Sequence, residues 1–144
     1  MSTINSQVGR VPAADPADAQ RHFEARLAYE TDPSEVHEDL QAGAPIVVLD
    51  VRGSDAYRKA HVPGAIDLPY TDVDAERVAA LPEGLIVTYC WGPGCNAAVQ
   101  AAAKIAALGR PVKEMIGGWE YWLREEFPVE GRGKEPRSYV ERQG

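Results

Sequence analysis

The chain has 144 residues, 44% of them hydrophobic and 26% charged, with 22 acidic against 15 basic residues and a formal net charge of −7. That is the size and composition of one soluble globular domain, which buries roughly two-thirds of its unfolded surface and needs no covalent staples. The acidic balance argues against a nucleic-acid or anionic-membrane surface, and no stretch approaches the ~18 consecutive apolar residues of a membrane span.

Residues 1–14 are polar and without periodicity, and are expected to form a flexible N-terminal tail. Asp15-Pro16 is a helix start, with the acid at the N-cap and proline in the first turn, so 15–31 is read as an extra helix running to about Tyr29. The same signal recurs in Asp32-Pro33-Ser34-Glu35 and opens a short helix that Gly43 stops. IVVLDV at 46–51 is a continuous β-branched run without polar alternation, as in a parallel strand buried on both faces. Ser54 can cap a short helix through Tyr57 and Lys59, and His61-Val62-Pro63-Gly64 is a turn. AIDLP at 65–69 reads as a short strand, 74–81 as a helix ended by Pro82, and LIVTY at 85–89 as a second strongly buried strand. An alanine-rich helix from Ala97 to Leu108 is stopped by Gly109. PVKEMI at 111–116 is a strand, Gly117-Gly118 a turn, and WEYWLREEF a helix with Trp119, Trp122 and Leu123 inward, ended by Pro128. Strands alternating with helices imply an α/β fold with a mostly parallel central sheet, whose ligands bind beyond the carboxyl ends of the strands. The expected layout is a single domain over 15–130 with a polar C-terminal tail at 131–144.

Both cysteines lie in VTYCWGPGCN, residues 87–96. Cys90 ends a buried strand and precedes a glycine-rich loop that enters a helix. Such a loop aims backbone N–H groups and the positive helix end at one point, where a thiolate, phosphate or sulfonate is stabilised. Cys90 is thus expected to have a lowered pKa and to be nucleophilic, with Gly92 and Gly94 curling the backbone at positive φ. The alternative is a buried structural cysteine behaving as a small hydrophobe. Two cysteines are not a disulfide framework, and the N-terminus has no signal-type apolar core. The expected compartment is therefore a reducing cytoplasm with both residues as thiols.

The stretches VVLDVRGSDAY (47–57), AHVPGAIDLP (60–69), IVTYCWGPGCNAA (86–98) and VKEMIGGWEYWLREEFPV (112–129) together resemble the rhodanese-like sulfurtransferase domain family, of single-domain bacterial type, over about residues 33–129. The resemblance implies a parallel sheet flanked by helices and a persulfide-carrying cysteine at the position of Cys90. That thiolate takes a sulfane sulfur from thiosulfate or a similar donor and passes it to a thiol, cyanide or a sulfur-acceptor protein. The amides of Trp91, Gly92, Gly94, Cys95 and Asn96 would cradle the bound anion, with Pro93 lacking an N–H. The family often carries an arginine, or a threonine and serine, near the loop end; this chain has Cys95 and Asn96 there. The departure leaves a second reading, a non-catalytic or redox-regulatory binding module using Cys90 and Cys95.

Cys95 itself reads as a small residue at a helix start, as a thiol that resolves a persulfide or sulfenate on Cys90, or as a direct sulfur relay. Asn96 is a candidate N-cap. Asp50 and Arg52 lie just past the first buried strand, either at the rim of the site with Arg52 drawing in anions, or as an ion pair fixing strand ends. His61 is a third rim candidate, as a general base or as a hydrogen-bonding turn residue. No histidine or cysteine spacing suggests a metal, and no cofactor is implied. Expected partners are a small-molecule sulfur donor and a thiol acceptor, with neither nucleic acid nor membrane.

Overall fold

The computed structural model describes residues 5–132; the predicted C-terminal tail beyond Arg132 and the first four residues lie outside them. Within the predicted N-terminal tail, Val8–Arg10 form one turn of 3-10 helix. Six helices and five strands follow in the order α1 (Pro16–Tyr29), β1 (Glu30–Thr31), α2 (Pro33–Ala42), β2 (Ile46–Asp50), α3 (Ser54–Lys59), β3 (Ile66–Asp67), α4 (Ala75–Ala79), β4 (Leu85–Tyr89), α5 (Ala97–Ala107), β5 (Val112–Met115) and α6 (Gly118–Arg124). The strands make one sheet in the order β1-β5-β4-β2-β3, parallel throughout. Among the described residues, no helix is long and apolar enough to cross a membrane.

The punctuation in the sequence explains most element ends. Asp15 accepts from the Ala17 amide and Asp32 from the Glu35 amide, each relieving a helix start of an orphan N–H. Gly43 closes α2 in the left-handed region at φ 69°, which favours glycine. Two strands depart from expectation. Residues 30–31 do not continue α1 but form the two-residue β1, paired to β5 with Glu30 opposite Glu114 and Thr31 opposite Met115. Pro33 cannot continue a donor ladder and biases the residue before it towards extended backbone, so the chain leaves α1 straight before it enters α2. The predicted strand at 65–69 shortens to two residues at the opposite edge.

β2 and β4 are buried on both faces, as their apolar runs require. One face sets Val47, Leu49 and Ile86 against Val78, Ala98, Ala101 and Ile105 of α4 and α5. The other sets Val48, Val87 and Tyr89 against Val36, Trp119, Trp122 and Leu123 of α2 and α6. Cys90 extends the α5 face and Tyr89 the α6 face. Ile86 is fully buried at the centre of the sheet. Ile86→Ala is expected to lower unfolding free energy by about 2–5 kcal/mol, checked by the midpoint of urea unfolding with an unchanged slope.

Candidate active site

β4 is the central strand, and its carboxyl end delivers Cys90 into the loop 91–96 that enters α5. Two contacts from α6 hold the start of that loop. The Trp119 amide donates to the Cys90 carbonyl and the Glu120 amide to the Trp91 carbonyl, both at 2.8 Å. This approach depends on Gly118, whose φ is +58°; a Cβ there would lie 2.6 Å from the Cys90 carbonyl oxygen and 2.9 Å from the Gly92 nitrogen. Read from the sequence, Gly118 is only part of a turn, because its contact lies far away along the chain.

The loop glycines behave otherwise than expected. Gly92 and Gly94 are not in the positive-φ region, and a Cβ at Gly94 would meet nothing within 4 Å. The loop instead turns through a hydrogen bond from the Cys95 amide to the Gly92 carbonyl at 3.1 Å. That bond occupies the Cys95 amide, which was expected in the anion cradle. Asn96 stands at the N-cap position of α5 but does not cap it; its side-chain oxygen accepts from Gln100 at 2.8 Å. The helix-start amides turn to sulfur: Ala98 hydrogen-bonds Cys90, with Gly92 beside it, and Ala97 hydrogen-bonds Cys95, joined by the Trp91 amide.

The two thiols also meet each other. The Cys90 thiol donates to the Cys95 carbonyl at 3.2 Å, and each side chain perturbs the ionisation of the other. Cys90 is buried and Cys95 half-buried. The ionisation differs from the sequence expectation. Burial pushes the Cys90 thiol up to about 11; the Ala98 and Gly92 amides pull the other way, while the Cys95 side chain adds to the rise. For Cys95, burial opposes ionisation, but the Ala97 amide, the Cys90 thiol and the Trp91 amide outweigh it and lower the pKa below the usual thiol range. Of the two, Cys90 is thus the weaker acid and Cys95 the one that ionises more readily.

A cavity of roughly 260 Å³ adjoins Cys90, lined by Gly92, Pro93, Glu114, Ile116, Gly117 and Gly118 among others. Glu114 lies on the same sheet face as Cys90, one strand over, since Thr88 pairs with Glu114. Burial, together with the nearby Glu30, raises the pKa of Glu114. Among the described residues, none that lines this cavity is basic. Among the described residues, no three His, Cys, Asp or Glu side chains gather so as to hold a metal ion.

The other candidates lie outside the loop. Of the two readings for Asp50 and Arg52, the structure has the ion pair at the strand end and not an open rim: their side chains are 0% and 1% exposed and pair at 2.6 Å. Asp50 also accepts from the Arg52 amide and the Tyr89 hydroxyl, and the Arg52 guanidinium donates to the Ala60 carbonyl. The guanidinium lies 4.5 Å from the Trp119 ring centre and 4.8 Å from that of Trp91, cation–π distances. So buried, Arg52 cannot draw anions in from solvent; it supports the half-exposed Trp91 from beneath. His61 Nδ1 donates to the Tyr57 carbonyl at 2.7 Å, since a carbonyl only accepts, and its ring stacks on Tyr57. Its Nε2 is 3.8 Å from Glu130, so its contacts hold the α3 turn to Glu130.

An all-parallel five-stranded sheet with a single cysteine at the carboxyl end of its central strand, wrapped by the loop into the next helix, defines a rhodanese-like α/β domain. The chain belongs to that family: the Rhodanese-like domain model matches residues 32–125. It is 46% identical to the BH2092 protein from Bacillus halodurans, with a TM-score of 0.78, over 81% of this chain and 87% of that one. It is also similar to the thiosulfate sulfurtransferase from Pseudomonas aeruginosa, at 31% identity and TM-score 0.60, over 77% of this chain and 21% of that one. Among curated proteins it matches the HTH-type transcriptional regulator Rv0324 of Mycobacterium tuberculosis, 35% identical over 86 residues. That match covers 59% of this chain and 38% of the regulator's length.

Two measurements check this site. Iodoacetamide at about pH 7.5 is expected to label Cys95 ahead of Cys90, read by peptide mass spectrometry, because only thiolate reacts. The Cys90 rate should then climb roughly tenfold per pH unit until it levels near the thiol's pKa of about 11. Arg52→Met leaves Asp50 buried without its cation and is expected to cost about 3–5 kcal/mol of stability, measured by denaturant unfolding.

Proposed function

We propose that this domain is a sulfurtransferase that carries a sulfane sulfur as a persulfide on Cys90. The observation that carries the reading is the placement of the Cys90 thiol at the end of β4, hydrogen-bonded by the Gly92 and Ala98 amides and opening on a small cavity. The Cys90 thiolate attacks the outer sulfur of the donor, the donor's bond to that sulfur breaks, and the electron pair leaves with the donor residue, as sulfite when the donor is thiosulfate. A thiol or cyanide then removes the outer sulfur and returns Cys90, a ping-pong sequence. The same amides stabilise charge that develops on sulfur in both half-reactions. Likeness to the P. aeruginosa thiosulfate sulfurtransferase supports the class of reaction. The cavity has Glu114 in its wall and, among the described residues, no basic lining, which disfavours a dianion and favours a donor of lower charge, such as a persulfide or polysulfide. The natural setting of this chemistry is a reducing cytoplasm, with a small-molecule donor and a low-molecular-weight thiol or a sulfur-acceptor protein as partners.

A second reading, a redox-regulatory or binding module, is favoured by the proton held on Cys90 and by the regulator that shares this stretch. The readings separate on incubation with thiosulfate, 3-mercaptopyruvate or polysulfide, followed by intact mass and by thiocyanate formation from cyanide. One added sulfur on Cys90 and thiocyanate turnover are expected, with Cys90→Ser lowering turnover on the order of 1000-fold or more. A folded protein that takes up sulfur from none of the three donors rejects the transfer reading in favour of the second.

A further inference from the structure

We propose that Cys90 and Cys95 form a dithiol–disulfide pair, and that closing this disulfide discharges the persulfide on Cys90 as hydrosulfide. The second clause rests on the sulfurtransferase reading above; the first does not. Three observations place the thiols for it. The Gly92–Cys95 turn folds the loop back on the strand end, so Cys90 Sγ lies 3.2 Å from the Cys95 carbonyl oxygen. The two thiols also perturb each other's ionisation, Cys95 raising the pKa of Cys90 and Cys90 lowering that of Cys95. The intervening Pro93 and Gly94 are exposed, and Gly94 has no neighbour within 4 Å of where a Cβ would sit, so the loop can adjust to the Cα spacing of about 4.4–6.8 Å that a disulfide needs.

The chemistry then follows from charge. The loop carries no arginine or lysine, and a carboxylate lines the cavity, so no cation from these residues holds a persulfide anion in place. Cys95, held by the Ala97 and Trp91 amides, is the more acidic thiol and supplies a thiolate beside Cys90. That thiolate attacks Cys90 Sγ. A bond forms between the two cysteine sulfurs, the bond from Cys90 Sγ to the outer sulfur breaks, and its electron pair leaves with the outer sulfur. The outer sulfur departs with its proton as hydrosulfide and is reduced, while the Cys95 sulfur is oxidised to the disulfide level. An external dithiol restores both thiols by exchange. The product is then hydrosulfide, where simple transfer would give a sulfur-bearing acceptor.

The test uses the full chain and its Cys95→Ser variant, each loaded with polysulfide, freed of excess reagent and followed without added thiol. The wild type is expected to release one hydrosulfide per chain and to reach the mass of the reduced protein less two hydrogens. Cys95→Ser should retain its added sulfur and release hydrosulfide roughly tenfold more slowly or less. In a second arm, both proteins are equilibrated with glutathione and its disulfide. The wild type should lose both thiols without a glutathione adduct, and the variant should form the mixed disulfide instead. A wild-type persulfide as durable as the variant's overturns the discharge step, and the absence of an internal disulfide in both arms overturns the pair. Internal disulfide in the glutathione arm, with no sulfur uptake by Cys95→Ser, supports the pair and rejects the persulfide.

Discussion

A single buried charge pair organises the end of the sheet where the chemistry sits. Asp50 terminates β2, and its carboxylate takes hydrogen bonds from Arg52 and from the hydroxyl of Tyr89, the last residue of β4. The Tyr89 hydroxyl accepts in turn from the Val62 amide, and Arg52 reaches the Ala60 carbonyl, so the segment after α3 is held to the same point. Every polar atom named here is buried, where an unsatisfied group would be costly, and the network is worth having only because its members satisfy one another. Its consequence for the site is positional. Tyr89 is the residue before Cys90, and Trp91, the residue after it, lies against the guanidinium. The cysteine is thus bracketed by two neighbours tied to one ion pair.

Around that fixed residue the loop is built from hydrogen bonds whose direction decides the chemistry. Amides at Gly92 and Ala98 favour a thiolate on Cys90, yet burial and the opposing Cys95 group prevail and keep the proton there. The Cys95 thiol receives the Ala97 and Trp91 amides at a more accessible position and becomes the more acidic of the two. The loop therefore divides one task between two sulfurs. One is sequestered at the mouth of the cavity, and the other, the readier to ionise, sits beside it.

The parts of this arrangement readable in the sequence are those set by short-range patterns. IVVLD and LIVTY announce buried parallel strands because they have no polar alternation, and Asp32-Pro33 with Gly43 brackets α2 by capping chemistry alone. Cys90 could be placed at the end of a strand for the same reason. What the sequence does not carry are features defined by contacts between distant segments. β1 has two residues, neither apolar, and exists because β5 offers it a partner. The need for glycine at 118 comes from the Cys90 carbonyl against it, and the ionisation of the cysteines depends on whether Cys95 turns its amide or its carbonyl towards Cys90. A short polar loop between two legible elements can satisfy either orientation, so its residue types alone do not choose. Arg52 likewise reads equally as an anion-seeking side chain or as half of a strand-end ion pair until its buried, aromatic surroundings are seen.

The shortest strand has a consequence for how the domain can be cut. The family match begins at residue 32, immediately after β1, and a fragment trimmed there keeps every residue that the match covers. It would also uncover the outer side of β5, leaving the Ile116 amide without the Thr31 carbonyl and a row of main-chain donors and acceptors facing water. Such an open edge is a template for strand-to-strand association between molecules. Glu30 and Thr31, with α1 leading into them, thus act as a cover strip for the sheet, and the working boundary of the folded unit lies N-terminal to the boundary suggested by sequence likeness.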